Sequence, residues 1–133
     1  MGKLNLSIAI GDYDRAHPLI DGKVQIVGID PTFMVLEPEE IFFRSFRSVE
    51  FDICEFSLSS FVIKSATGNS PYEGVPVFSS RAFRHTSIYI RSDRGIHPPA
   101  DLRGKRVGVP EYQLTANVLV RMRPGPIGPE QRE

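Results

Sequence analysis

Cysteine is nearly absent from this chain. Cys54 stands alone among 133 residues, so no disulfide can close within it, and the framework of a small oxidised secreted domain is excluded. Histidine is scarce too: His17, His85 and His97 form no Cys/His zinc spacing with Cys54. No serine sits in a Gly-x-Ser-x-Gly elbow, which removes the α/β-hydrolase type of nucleophile. An excess of one charge is also missing. Sixteen basic residues balance sixteen acidic ones, so no global field draws the chain to nucleic acid or to an acidic membrane surface, and any anion must be recognised locally. Long apolar runs are lacking as well. A single Lys3 precedes an alternating segment where a secretory signal needs roughly 7 to 15 continuous apolar residues, and no stretch reaches the ~20 of a membrane span. These absences predict a reducing, cytoplasmic setting without nucleic-acid or membrane partners.

What is present is ordinary for a compact domain: 41% hydrophobic and 24% charged residues. Leu4, Leu6, Ile8 and Ile10 alternate with Lys3, Asn5, Ser7 and Ala9, the period of a strand with one buried face. Gly11 ends it, the polar run Asp12-Tyr13-Asp14-Arg15 follows, and His17 to Ile20 reads as a short helix before Asp21-Gly22. Thr32 to Leu36 predicts a second strand. Pro38, Glu39 and Glu40 suit the start of a helix carrying Ile41, Phe42, Phe43 and Phe46. Phe51 to Phe56 predicts a third strand, leading through Ser57-Leu58-Ser59-Ser60 into a helix with Phe61, Val62 and Ile63 that closes at Gly68-Asn69. Such β-α-β-α-β-α alternation argues for an α/β fold with a mostly parallel sheet. Loops at the C-terminal ends of such strands are where ligands bind.

Val75 to Phe78 and His85 to Ile90 read as two more strands. Asp93 to Pro99 reads as a linker, which places a lobe boundary near Pro98 and divides the chain into 1–98, 99–122 and a Pro/Gly-rich tail over 123–133. Arg106 to Val109 predicts a buried strand delivering the chain into a helix near Gln113, Leu114 and Thr115. The first N–H groups of a helix have no partner inside it and carry the positive end of its dipole, so a carboxylate or phosphate is expected there.

Together, Ile8 to Asp14, Phe51 to Ser60, Arg81 to Tyr89 and Leu102 to Asn117 resemble the 4,5-dihydroxyphthalate decarboxylase family. The resemblance runs from about Lys3 to Arg121. It implies a two-lobed fold of the type II solute-binding-protein kind and a small aromatic dicarboxylate as substrate. A family member is expected to continue past Val120 and supply the rest of the second lobe. The Pro/Gly tail from Arg123 to Pro129 instead reads as a truncation or a change of reading frame. A fragment is expected to be inactive alone, and to aggregate or self-associate, as a homo-oligomer for example, through an uncovered sheet edge.

The implied reaction converts 4,5-dihydroxyphthalate to 3,4-dihydroxybenzoate and CO2 in phthalate degradation. It needs a cation for the carboxylate that stays, a base for the hydroxyl para to the one that leaves, and an acid to protonate the ring carbon. Arg81 and Arg84 suit bidentate carboxylate binding. Gln113, Leu114 and Thr115 offer a helix start for the second carboxylate or the hydroxyl pair. His85 is the histidine expected to act as acid or base, its competing role being to cap a backbone group. Glu55, Asp12 and Asp14 are candidates to carry a proton or orient His85, or else to shape turns and pair with Arg15. Ser57 and Ser59 are either ligand contacts or caps, and Arg15 and Thr86 complete the expected binding set. Phe42, Phe43, Phe46, Phe51 and Phe56 are expected in the core, and Cys54 as a small apolar filler. No cofactor is evident; a catechol can chelate a metal, but the sequence lacks a convincing ligand cluster. A rival reading of the same fold is a binding protein for organic anions, of the transporter-receptor kind, without catalysis. Arg81, Arg84 and His85 favour the enzyme, because together they fit an acid that must be protonated.

Overall fold

A computed structural model describes residues 2–82 and 88–121. The chain divides into two compact units, Met1–Arg81 and Ala82–Glu133. The first is an α/β unit whose elements alternate as β1 (Leu4–Ile10), α1 (His17–Ile20), β2 (Ile29–Val35), α2 (Pro38–Ser48), β3 (Ile53–Cys54) and α3 (Leu58–Ala66). Both neighbours of β1 run parallel to it, and the sheet order is β2-β1-β3. The alternation expected from the sequence is therefore present.

β1 departs from the one-faced strand its alternation predicts. Ile8 and Ala9 are both buried, so the second half of the strand is covered on both faces, as central strands of parallel sheets are. β2 begins earlier than Thr32: it pairs with β1 in register from Leu4↔Ile29 to Ile10↔Val35, with Pro31 accommodated because β2 is an edge strand. β3 is much shorter than Phe51 to Phe56, and Asp52 explains why. Its carboxylate Oδ2 accepts the Ser7 backbone N–H at 2.8 Å and the Ser7 hydroxyl at 2.7 Å, while the Ser7 Oγ accepts the Asp52 N–H at 2.9 Å. Side chains thus replace the ladder at that position, and regular pairing starts only at Ile8↔Ile53. The two bonds from Ser7 lower the Asp52 pKa below its ordinary 3.8.

α2 starts at Pro38 with Glu39 and Glu40 in its first turn and ends with Arg47 in its last, a charge order that complements the helix dipole. Its inward residues Ile41 and Ser45 are fully buried. Ile41 packs with Ala9 and Phe51, and Met34, Leu36 and Cys54 close the cluster. The Ser45 hydroxyl donates to the Cys54 Sγ at 3.2 Å, and burial pushes the thiol pKa up, consistent with a filler. The aromatic expectation holds for Phe51 but not for Phe43, which is half-exposed with the Arg47 guanidinium 5.8 Å from its ring centre. Phe46 instead stacks on Phe56 at 6.2 Å. α3 runs as expected and is followed by Gly68 at φ 70°, the left-handed position that glycine tolerates best.

Val75 to Phe78 forms no strand, and Val75, Val77 and Phe78 are exposed; apolar residues alternating with a proline do not by themselves bring a pairing partner. The unit beginning at Ala82 has two short 3-10 turns, Ser92–Arg94 and Pro99–Leu102, and α4 (Thr115–Arg121). The expected strand at Arg106 to Val109 is absent, with Val107 and Val109 exposed. Residues 88–90 are likewise not a strand, and the remainder of that predicted strand lies outside the described residues. So does the Pro/Gly tail over 123–133.

Candidate functional site at the strand ends

β1 and β3 are parallel neighbours, so both deliver their chains to the same edge of the sheet, the carboxyl end where open α/β folds bind ligands. Gly11 leaves β1 there, and Glu55 leaves β3. The Glu55 amide donates to the Ala9 carbonyl at 3.2 Å, which extends the ladder by one bond. Its side chain turns back across the strand end. Oε1 accepts the Gly11 backbone N–H at 2.7 Å, the Tyr13 hydroxyl lies 3.2 and 3.1 Å from the two oxygens, and the Ser79 hydroxyl donates to Oε2 at 2.8 Å. One carboxylate therefore gathers donors from the β1 end, the following loop and a segment 24 residues further along the chain.

Arg15 completes the cluster. Its Nε donates to the Ser79 carbonyl at 2.6 Å and its Nη2 to the same oxygen. The guanidinium carbon stands 4.6 Å from the centre of the Tyr13 ring, a cation–π contact. Ser79 thus holds Glu55 with its hydroxyl and Arg15 with its carbonyl. Burial raises the Tyr13 pKa above its ordinary 10.0; a hydrogen bond with Ser80 opposes the rise, and the Glu55 charge adds to it. The phenol is consequently protonated at neutral pH, half-buried, and poised over a carboxylate.

Gly11 is required by space. A Cβ at this position would lie 2.7 Å from the Tyr13 ring Cζ and 2.9 Å from the Glu55 Oε1, closer than real side chains approach. Gly11→Ala is expected to displace Tyr13 and to lengthen its contact with Glu55, costing about 1–3 kcal/mol through overpacking and a disturbed buried hydrogen bond. Thermal melting of the 133-residue chain reads that loss directly, and an unchanged melting temperature would contradict the close packing.

Asp12 takes no part in this cluster. It is exposed, and its Oδ1 meets the His17 Nε2 at 2.6 Å. That hydrogen bond is the chief cause of a His17 pKa raised above 6.5, with the charges of Asp12, Asp21 and Asp14 adding to it. A raised folded-state pKa means a stabilising contribution fully present below the unfolded value near 6.5 and lost as pH rises through the folded value. Asp12→Asn is expected to bring the His17 imidazole midpoint back toward 6.5 and to flatten the pH dependence of stability in that window, as followed by proton NMR titration. A midpoint that stays put would show that Asp12 is not the partner that matters.

The structure thus brings together Glu55 and Arg15 among the expected site residues, but not as an ion pair, since Arg15 is turned to the Ser79 carbonyl. Among the described residues Arg15 bridges neither Asp12 nor Asp14. Ser57 is buried at the N-cap of α3 without capping it through its side chain, and its hydroxyl lies 3.4 Å from that of Ser59. Arg81 is exposed with its guanidinium 5.7 Å from the Phe78 ring centre. Arg84, His85 and Thr86 lie outside the described residues. In the second unit the Gln113 amide donates to the Glu111 carboxylate at 2.9 Å, the Leu114 N–H donates to the Glu111 carbonyl at 3.1 Å, and Thr115 begins α4, which has only seven residues. Gly11, Tyr13 and Ser79 were not singled out from the sequence. A glycine between a buried strand and Asp12-Tyr13-Asp14 was a signal for the first two; Ser79, in a chain segment without regular structure, offered none.

A separate cavity of about 230 Å³ borders the starts of β1 and β2, with Lys3, Val24, Asp30 and Phe33 in its wall and no member of the Glu55 cluster. No group of three or more His, Cys, Asp or Glu side chains able to hold a metal occurs among the described residues.

No family model matches the sequence. Two curated proteins do, 4,5-dihydroxyphthalate decarboxylases of Comamonas testosteroni and Pseudomonas putida, each 70% identical to this chain over 122 residues. Over these residues the chain is similar to 4,5-dihydroxyphthalate decarboxylases. The match covers 92% of this chain but 37% of the Comamonas protein and 47% of the Pseudomonas one, so the chain spans less than half the length of either decarboxylase. No helix among the described residues is long and apolar enough to cross a membrane.

Proposed function

We propose that this chain, completed by the portion that its longer relatives carry, is a carboxy-lyase that converts 4,5-dihydroxyphthalate to 3,4-dihydroxybenzoate and CO2. The observation that carries the reading is 70% identity to two decarboxylases of that name across nearly the whole chain. The strand-end cluster supplies chemistry that suits it. Removing CO2 from an aromatic ring is eased when electron density is pushed into the ring from the hydroxyl para to the departing carboxylate, which needs an acceptor for the proton of that hydroxyl. Glu55, held by Gly11, Tyr13 and Ser79, is the carboxylate on which that proton charge ends. Arg81 and Arg84 bind the carboxylate that stays, and His85 protonates the ring carbon, roles that rest on residue type and on the family resemblance. The complete protein takes a two-lobed form of the solute-binding-protein kind and works in the cytoplasm, and closure of its lobes excludes water from the reaction.

A hybrid protein tests this reading, with the matched residues of this chain replacing the corresponding segment of the Comamonas decarboxylase. Release of CO2 from 4,5-dihydroxyphthalate by the hybrid, lost on His85→Ala, is the expected result. A hybrid that binds the diacid and releases no CO2 would overturn the proposal in favour of an anion-binding protein.

A further inference from the structure

Three donors converge on Glu55 and engage both of its oxygens. Its Oε1 accepts from Gly11, its Oε2 from Ser79, and the Tyr13 hydroxyl lies against both oxygens. A phenol has one proton to donate and two lone pairs to accept with. The Tyr13 proton points to Glu55, and Ser80 engages the same oxygen, which leaves one acceptor position. We infer that Tyr13 is a catalytic residue that touches the substrate hydroxyl and relays its proton to Glu55. The inference rests on the decarboxylase reading and deepens it by naming the group at the reacting oxygen.

The proton count closes. The substrate hydroxyl para to the departing carboxylate gives its proton to the Tyr13 oxygen while the Tyr13 proton moves to a Glu55 oxygen. The ring-directed acid then protonates the carbon that bears the carboxylate, leaving a ring carbonyl. The carbon–carboxylate bond breaks, its electron pair restores the aromatic ring, and the proton returns from Glu55 through Tyr13 to the former carbonyl oxygen. One proton is consumed at the ring carbon, CO2 leaves, and Tyr13 and Glu55 end as they began. Arg15 acts as a positioning residue: the guanidinium 4.6 Å from the ring centre, anchored on the Ser79 carbonyl, fixes the plane of the phenol and so the direction of its oxygen.

The test uses the hybrid decarboxylase. Tyr13→Phe keeps the ring and its contact with Arg15 and removes only the hydroxyl. Its kcat for CO2 release is expected to fall at least about 100-fold, the range of a general acid–base group, with KM changed less than about threefold. Incorporation of 3-fluorotyrosine at position 13, which preserves shape and lowers the phenol pKa, is expected to move the alkaline limb of the kcat profile to lower pH, a shift that a purely structural tyrosine would not produce. A parent hybrid without activity would overturn the decarboxylase reading and this inference with it. An active parent whose Tyr13→Phe variant keeps its kcat, or whose fluorinated form keeps its pH limb, would overturn the role of Tyr13 alone.

Discussion

Glu55→Ala is expected to cost the first unit about 2–4 kcal/mol of stability and to abolish CO2 release by the hybrid decarboxylase. The stability estimate follows from what the carboxylate holds: a bond from the buried Gly11 amide and bonds from two hydroxyls, where hydrogen bonds to a charged group are worth roughly 1.5–3 kcal/mol each and are only partly replaced by water. Glu55→Gln separates the two roles. Its amide oxygen still accepts the Gly11 N–H, so most of the stability is retained, but an amide cannot take up a proton and return it, so activity is expected to fall about 100-fold or more. Urea unfolding reads the first quantity and turnover of 4,5-dihydroxyphthalate the second. Equal activity in Glu55→Gln and the parent would remove Glu55 from the proton path.

Ile41→Ala is expected to be the most damaging change away from the strand ends. Ile41 has no exposed surface and stands at the meeting point of α2, Ala9 of β1 and Phe51. Truncation loses the transfer free energy of the removed carbons and leaves a cavity, together about 2–5 kcal/mol for a fully buried Ile. The core it would open is small, so little else compensates. Expression yield and the urea midpoint of Ile41→Ala measure the loss; a variant as stable as the parent would show that α2 does not seal the sheet.

The alternation of strands and helices was legible in the sequence because each element of the first unit announces itself locally. Pro38 with Glu39 and Glu40 marks the start of α2, Gly68 marks the end of α3, and the run from Leu4 to Ile10 is apolar enough to be a strand. Pairing was harder to read. The Asp52 carboxylate that takes the place of a ladder bond at Ser7 acts across 45 residues, and no local pattern distinguishes it from an ordinary acid in a strand. Val75 to Phe78 and Arg106 to Val109 look like strands by composition and are not strands, since β propensity expresses a fit to neighbours that these segments do not have. For the site, Glu55 is legible as an acid at a strand end, whereas pairing with Arg15, one of its expected roles, is not what the structure has: Arg15 is given to the backbone of Ser79. Tyr13 lies between the acids Asp12 and Asp14, and no local pattern marks its phenol as the group that reaches Glu55.

The order of strands in the sheet also bears on how quickly the site is assembled. β2 meets β1 across 25 positions, as from Leu4 to Ile29, but β3 meets it across 45, as from Ile8 to Ile53. Closing the longer loop carries only about 0.5 kcal/mol more chain entropy, yet β3 brings just two residues of ladder to offset it. The hairpin-free pairing of β1 with β2 is therefore expected to precede docking of β3. Since Glu55 follows β3 and Gly11 and Tyr13 follow β1, the strand-end cluster is expected to form only with docking of β3, which changes the surroundings of the Tyr13 phenol.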